Sequence, residues 1–528
     1  MIGTTRVGPA SPARRRRLAL AVCALLATTA CGLQQSGLDG SVAAQSNLLP
    51  GDTGQGTTGG TSGGTASGTS GTGGTSTGSS TGAGGAGSAG GSTGVLGGSS
   101  SGSSDSSGTA GTSGTSGTST GSTGFTQTPG LKGELVVSYV NVTGFDQLGK
   151  VVVVNTASTG DPVAQTNALA AYVNSHGGIA GRKLVTKVHD YNAMQASEVN
   201  DNNLCQDITG TDKAFMAVLH GQIHYSARDC YAAKHVLAFE GAAYGFGHSF
   251  YAAHSPSEWS PSYADYDQSS RALVATIKAR KWLAGETKVG VVLWDDKPYH
   301  DVADKTLVPL LKGLGVDVVQ ASVSNADIGA IEDGIHAAAQ TMIVNQVDHL
   351  LFLGSAPLQP FFVQQNQQNN QFVYALDSFD VPRYMAANFK NNMAGAIGIG
   401  FSPVDDVLDA QHKFPQPGLE TECQAIYKAA GVSVPGRYID GTFNSKQALS
   451  YCESTLLLKK VADAIPNDLT AASWTAAAER LGTAFQAAQT FATSFGASKH
   501  TGAAAYREIT FDAACKCMTY TSGSKALP

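Results

Sequence analysis

Eight cysteines and twelve histidines are the side chains with the most chemistry to offer. Cys23 and Cys31 fall in or just after an apolar N-terminal run. Cys205, Cys230, Cys423, Cys452, Cys515 and Cys517 are left for the body of the chain. None of them form a C-x-x-C pair, which argues against a zinc ribbon, and an even number of cysteines in an exported chain points to disulfides. Several connectivities are formally open, and pairing between sequence neighbours is the simplest. That pairing joins Cys205 to Cys230 across one helix–strand–helix unit, Cys423 to Cys452 between two helices, and Cys515 to Cys517 as the remainder. His220, His224, His235, His248 and His254 fall close together, and three or four convergent imidazoles could hold zinc. No H-E-x-x-H motif accompanies them, so they read as scattered cleft and surface groups with no metal. A catalytic reading finds no G-x-S-x-G elbow and no Walker-A loop in the folded region, and Gly245-Phe-Gly247 lacks the third glycine of a dinucleotide loop. No catalytic residue and no cofactor is assigned.

The elements that must position these residues lie between about Leu131 and Pro528. Short β-branched runs alternate there with helical stretches. Strands are expected at Glu134–Asn141, Leu184–Asp190, Phe215–Leu219, Val236–Glu240, Lys288–Trp294, Val316–Ser322, His349–Leu353, Phe372–Leu376 and Ala394–Gly400. Helices are expected between them, among them Pro162–Ser175, Ala196–Ile208, Ser226–Ala233, Tyr263–Arg280, Ile328–Asn345 and Pro357–Asn366. A further one at Tyr299–Gly313 should be kinked or shortened by Pro309. Strand and helix in alternation imply parallel sheets covered on both faces. After Gly400 the pattern turns helical, with Leu449, Cys452 and Leu456 on one face, and a last strand is expected at Ala505–Phe511. Nearly 400 residues exceed one hydrophobic core, so the fold class is α/β with two doubly wound, Rossmann-like lobes.

The run from Ala171 to Leu184, AYVNSHGGIAGRKL, ends a helix and starts a strand through Gly177, Gly178 and Gly181. It resembles the "INAAGGINGRKI" joint of type I periplasmic binding proteins, the family that binds branched-chain amino acids. Phe215–Gly221, Val236–Gly241, Val289–Tyr299, His349–Ser355 and Tyr374–Asp377 follow in the order of that family's strand ends. The runs Cys205–Val218 and Cys230–His235 are similar to its actinobacterial lipoprotein members. The resemblance covers essentially all of residues 131–528. It implies two lobes joined by three crossovers, 131–256 with 403–508 and 257–402 with 509–524, closing on a solute delivered to an ABC permease, with no chemistry of its own.

In doubly wound sheets, ligands sit beyond the carboxyl ends of the strands. That rule selects Gln222 and Ser226 after the third strand, with the S-x-x-D spacing of Ser226 and Asp229 marking a helix start, and Ser355 after the strand that ends at Leu353. The resemblance adds Ala242 and Tyr244, where family members hold an amino acid. It also implies that Tyr299 is a stacking aromatic and that Asp377 is an acid for a ligand ammonium. The family's serine-rich turn is replaced here by Gly-Gln-Ile-His-Tyr, and the stretch Thr143–Gly160 is extra. The expected ligand is therefore a small polar solute, such as an amino acid or amide, and not leucine specifically.

The N-terminal third carries no such pattern. Arg14 to Arg17 precede the apolar stretch Leu18–Ala27, which is too short to span a membrane but suits a secretion signal. Leu26-Ala-Thr-Thr-Ala-Cys31 resembles a bacterial lipobox, with Thr28 in an unusual place. Residues 1–30 then read as a lipoprotein signal peptide and Cys31 as the lipidated residue, placing the protein on the extracytoplasmic face of the cell membrane. Residues 31–130 are Gly/Ser/Thr-rich, and the segment from Gly51 to Gly130 contains 29 of the 64 glycines. Such a composition cannot bury enough apolar surface to order itself, and it reads as a tether with an average reach of about 55 Å. The formal charge of −6 becomes more negative once the five arginines of residues 1–30 are removed. An acidic surface repels phosphate backbones, so nucleic acid is not an expected partner. Expected partners are a small-molecule solute, permease subunits and the membrane through the lipid, with the protein a monomer. A cell-surface sensor or wall-interaction protein without a permease is the alternative, and an extracellular α/β hydrolase is a third class.

Overall fold

The computed structural model describes Phe125 and residues 130–144, 159–368, 371–408, 418–434, 445–465 and 468–528. The signal-like segment, Cys31 and nearly all of the tether lie outside the described residues.

The first half builds a five-stranded, all-parallel sheet in the order β2-β1-β3-β4-β5. Its strands are β1 (Glu134–Thr143), β2 (Lys183–Asn192), β3 (Met216–Leu219), β4 (Leu237–Glu240) and β5 (Glu258–Trp259). Helices α1 (Pro162–Ser175), α2 (Glu198–Gln206), α3 (Ser226–Ala233) and α4 (His248–Ala253) alternate with them. β1 and β3 are buried over nearly their whole lengths, as central parallel strands covered on both faces must be. α1 starts where Asp161 accepts the N–H groups of Val163 and Ala164, with Pro162 at a position that needs no N–H. It ends at Gly177 and Gly178, both with positive φ. A Cβ on Gly178 would sit 2.0 Å from the Arg182 carbonyl oxygen, so only glycine fits there.

After α5 (Tyr266–Arg280) the chain builds an eight-stranded sheet in the order β12-β11-β10-β9-β8-β6-β7, with β13 paired to β11. These strands are β6 (Lys288–Trp294), β7 (Asp317–Val323), β8 (His349–Leu353), β9 (Val373–Leu376), β10 (Ile397–Gly400), β11 (Ala505–Asp512), β12 (Cys517–Tyr520) and β13 (Lys525–Ala526). Strands β6 to β10 are parallel, whereas β11 runs antiparallel to β10, β12 and β13. Between them lie α6 (Lys297–Val302), α7 (Val308–Lys312), α8 (Ile328–Val344), α9 (Leu358–Gln365), α10 (Pro382–Asn388) and α11 (Pro403–Asp406). The helix expected at Tyr299–Gly313 is three pieces: α6, a wide turn at Ala303–Leu307, and α7 with Pro309 in its first turn. Proline lacks the N–H that an unbroken helix would use there. The expected Ala394–Gly400 strand is shortened to β10, and β5, β12 and α10 had no counterpart in the sequence pattern.

One hydrophobic core surrounds the second sheet and two clusters belong to the first; α12 (Gly418–Ala429), α13 (Lys446–Ala462) and α14 (Ala471–Ala478) pack into the larger cluster of the first sheet. The chain therefore passes between the two sheets three times, after β5, after β10 and before β11. The passing segments bond to one another: Gly502 N–H donates to the Ser260 carbonyl at 2.7 Å and Ala503 N–H to that of Tyr263 at 3.1 Å. The Thr490 hydroxyl donates to the Phe401 carbonyl at 2.8 Å. The first sheet ends at Trp259, just past the expected boundary at 256, and β11 starts slightly before the expected boundary at 508. The disulfides pair sequence neighbours, with Cα separations of 6.4 Å for Cys205–Cys230, 5.9 Å for Cys423–Cys452 and 5.2 Å for Cys515–Cys517. Among the described residues, no helix is long and apolar enough to cross a membrane.

Candidate functional site

Each parallel strand hands its chain to a loop at its carboxyl end, and in both sheets these loops line one cavity of about 230 Å³. The first sheet contributes Val142 at the end of β1, Ala196 after β2, Gly221 and Ile223 after β3, and Ala242, Ala243 and Tyr244 after β4. The second contributes Asn325, Asp327 and Ile328 after β7, Pro357 and Phe361 after β8, and Val381 after β9. Most of this lining is apolar. Its polar groups include His220 and, in the first turn of α13, Lys446 and Gln447. His220 Nε2 lies 3.2 Å from the Ser450 hydroxyl, one turn beyond Lys446 on the same helix. Burial, with the Lys446 charge as a second cause, pulls the His220 pKa down to about 3, so this imidazole is neutral. Lys446 is the only ammonium among the described lining residues, and its Nζ lies 2.8 Å from Asp405 Oδ1.

Of the seven residues selected from the sequence, Ala242 and Tyr244 line this cavity. The Ala242 N–H is already donated to Glu240 Oε1 at 3.1 Å, so it is not offered to a solute. Glu240 is held in turn by Arg228 at 2.6 Å, with Glu258 3.4 Å from the same guanidinium and all three side chains buried. Burial pushes Glu240 up to about 7 and Glu258 up to about 8, against the pull of Arg228.

The other five candidates are not among the residues that line it. Gln222 donates to the Asp201 carbonyl at 3.3 Å, while its own carbonyl accepts from Arg228. Ser226 does start α3, but as its first helical residue: Tyr225 is the cap, no side-chain cap bond forms, and the Ser226 hydroxyl is buried without a partner. Asp229 turns outward to His254 at 2.8 Å, so the anticipated capping box is absent. Tyr299 is buried in an aromatic cluster, 6.0 Å from the rings of both Phe246 and Tyr266. Ser355 adopts a left-handed conformation, and its hydroxyl accepts the Gly245 N–H at 3.1 Å, tying the loop after β8 to the loop after β4. Asp377 caps the turn Ser378–Asp380, accepting the Phe379 N–H at 2.9 Å and the Ser269 hydroxyl. An acid used in this way does not face the cavity.

The five clustered histidines disperse. His220 lines the cavity, His224 is buried between loops of both sheets, and His235 and His248 are exposed. Among the described residues, the one group of three metal-capable side chains close together is Glu286, Asp348 and His349, outside this stretch. Sequence reasoning missed Lys446, Gln447, Asn325 and Asp327. Asn325 and Asp327 follow a strand end and were reachable by the rule that selected Ser355. Lys446 starts a helix more than two hundred residues from the strand loops it joins, and nothing in its local pattern marks it.

No protein-family description matches the chain, and no curated relative matches it. Solved structures do. A possible leucine/isoleucine/valine-binding protein from Rhodopirellula baltica SH 1 superposes with a TM-score of 0.50 at 13% identity, over 76% of this chain and 98% of that one. A branched-chain amino acid ABC transporter protein from Thermus thermophilus gives 0.50 at 12% identity, over 74% and 96%. A solute-binding protein of an ABC transporter from Rhodopseudomonas palustris HaA2 gives 0.52 at 14% identity, over 75% and 97%. The chain thus has the two-lobed α/β fold of type I periplasmic binding proteins.

Proposed function

We propose that this chain is an extracytoplasmic solute-binding protein that closes its two lobes on one small solute and delivers it to the permease subunits of an ABC-type importer. In this reading Cys31 carries a lipid as in actinobacterial lipoproteins, residues 31–130 are the tether, and the lobes are 131–256 with 403–508 and 257–402 with 509–524. The protein acts as a monomer at the cell membrane, without chemistry of its own. The observation that carries the reading is the cavity: it is lined from the carboxyl ends of two sheets joined by three crossovers, where a doubly wound fold places its ligand.

The lining narrows the solute. The wall is mostly apolar, with the neutral imidazole of His220 beside Lys446 and Gln447 of α13 on one side and Asn325 and Asp327 on the other, which suits a small apolar body with a polar end. Asp377, expected to meet a ligand ammonium, is occupied as a cap, which leaves Asp327 as the carboxylate on the cavity wall. The solved neighbours include one with bound valine and one in complex with p-hydroxybenzoic acid. A thermal-shift screen of the purified protein against benzoates, branched-chain amino acids, amides and polyamines, followed by calorimetry on any hit, tests the reading. At least one compound should raise the melting temperature in proportion to the logarithm of its concentration. Silence across the whole panel, or turnover of a compound in place of binding, would overturn it.

A further inference from the structure

His224 is only 2% exposed and sits in the loop after β3 of the first sheet. Its Nδ1 lies 3.0 Å from Asp201 Oδ2 on α2, and its Nε2 lies 3.0 Å from the backbone carbonyl oxygen of Asn325, just past β7 of the second sheet. The ring therefore spans the two lobes at the edge of the cavity that Asn325 lines.

The two contacts decide the protonation state. A carbonyl oxygen can only accept. Asp201 Oδ2 already accepts the backbone N–H of His224 at 3.2 Å, so it too is acting as an acceptor. A neutral imidazole owns one N–H and can satisfy one of these partners, leaving lone pairs opposed at the other. An imidazolium donates to both. The environment agrees. Burial opposes the charge, but the hydrogen bonds and charge of Asp201, the Asn325 carbonyl and the charge of Asp296 outweigh it and raise the His224 pKa. Asp201 on α2 and Asp296 after β6 act on the ring directly; Glu198 on α2 acts on Asp296, and Arg228 on α3 interacts with Asp201. Asp296 also accepts the Asn325 side-chain amide at 2.6 Å, which fixes the carbonyl that His224 meets.

We propose that His224 is a proton-binding latch: the closed cleft takes up one proton there, bridging Asp201 of the first lobe to Asn325 of the second. Opening breaks the Asn325 bond and lets water reach the ring, so the open form holds the proton less tightly. Closure is then favoured as pH falls and weakened as pH rises through the closed-state pKa. Because solute capture and closure are linked, the affinity for whatever solute the cleft accepts rises with acidity, by at most about tenfold per pH unit for one linked proton. The latch goes beyond the transport reading and needs no solute to be tested, so its failure would leave that reading standing.

The test uses the full chain without added solute. Selective isotope labelling of histidine, with the His224 signal identified by its loss in His224→Gln, gives the pKa of this ring by nuclear magnetic resonance. Small-angle scattering from about pH 5.5 to pH 8.5, spanning the ordinary imidazole range, gives the opening. The expected result is a His224 pKa above that of an ordinary imidazole and a wild-type radius of gyration that grows with pH. In His224→Gln the radius should be independent of pH, and in Asp201→Asn the transition should move to lower pH. A His224 that titrates at or below the ordinary value, or a wild-type radius that does not change over this range, overturns the proposal. If His224→Gln does not fold, the wild-type titration and Asp201→Asn still decide it.

Discussion

Lys446 Nζ lies 2.8 Å from Asp405 Oδ1, joining the first turn of α13, which packs on the first sheet, to the short helix that follows the last parallel strand of the second sheet. Asp405 also accepts the Tyr263 hydroxyl at 2.6 Å and the Ser402 hydroxyl at 2.9 Å. Three segments that pass between the lobes or border those passages therefore meet at one carboxylate. The ammonium on the cavity wall is held in place by a partner belonging to the hinge.

Replacing Lys446 with methionine keeps the length of the stem and removes the charge. Leaving a buried charge wholly unpaired costs roughly 3–5 kcal/mol, but the two hydroxyl donors stay on Asp405, so about 1–3 kcal/mol is expected here. Any solute with an anionic end should lose at least about tenfold in affinity, the scale of one charge-assisted hydrogen bond. Denaturant unfolding and calorimetry on the same variant separate the two effects.

Gly241, between β4 and the cavity loop, is a second point of strict fit. A Cβ there would lie 2.0 Å from the Ser450 hydroxyl and 2.5 Å from His220 Nε2. Gly241→Ala should break the His220–Ser450 contact and push α13 away, costing about 1–3 kcal/mol, the usual scale of overpacking. A melting temperature unchanged from wild type would show that the helix yields without cost.

The sequence made the strand ends legible because central parallel strands are nearly continuous apolar runs, and β3, β6 and β8 are buried throughout or nearly so. From strand ends the general location of the cleft follows. What does not follow is which side chain beyond a strand end points inward. Asp377 and Ser355 sit at the expected stations, yet backbone N–H groups claim them first. Tyr299 joins the core because Phe246 and Tyr266, one on each side of the first crossover, converge on it. Lys446 was illegible for the converse reason. Its place at the cavity is created by the chain's return after β10, a long-range event that no local spacing encodes.

His220 and His224 should move stability with pH in opposite senses. Burial lowers His220 to about 3 in the folded protein, so folding is fully supported above the unfolded value near 6.5. That support is lost as pH falls, by up to about 1.4 kcal/mol per pH unit, because only the unfolded chain takes up the proton. His224, with its pKa raised, gives support that is complete below the unfolded value and lost as pH rises through its folded one. In unfolding titrations, His220→Gln should flatten the acid limb and His224→Gln the alkaline limb. Identical profiles for the two variants would contradict this assignment.

The three disulfides should differ in worth. Cys205–Cys230 closes a loop of 25 residues and Cys423–Cys452 one of 29. In the chain-entropy description each limits the unfolded state by about 3–4 kcal/mol. Cys515–Cys517, with a separation of 2, constrains little of the unfolded chain. Paired serine substitutions should lower the unfolding free energy by about 3 kcal/mol or more for either of the first two and by only about 1–1.5 kcal/mol for the third. Equal losses at all three would mean that native-state strain, not chain entropy, sets their value.

The position of the solute itself can be tested by filling the cavity. Ala242 lines it from the loop after β4, and its backbone N–H is already taken by Glu240, so Ala242→Leu adds bulk without removing a backbone bond. In a space of about 230 Å³ the added branch occupies room a solute would need. The solute-free protein should change by less than about 1.5 kcal/mol, since an apolar branch enters an apolar wall. The stabilisation by a solute present at 100 times its dissociation constant, about 2.7 kcal/mol in wild type, should disappear. Asp377→Ala supplies the opposite pattern. It removes the cap of the Ser378–Asp380 turn and the partner of Ser269, so baseline stability should fall by about 1–3 kcal/mol while the solute-induced gain stays. If Asp377→Ala abolishes the gain and Ala242→Leu preserves it, the solute sits at the Asp377 turn and not in this cavity.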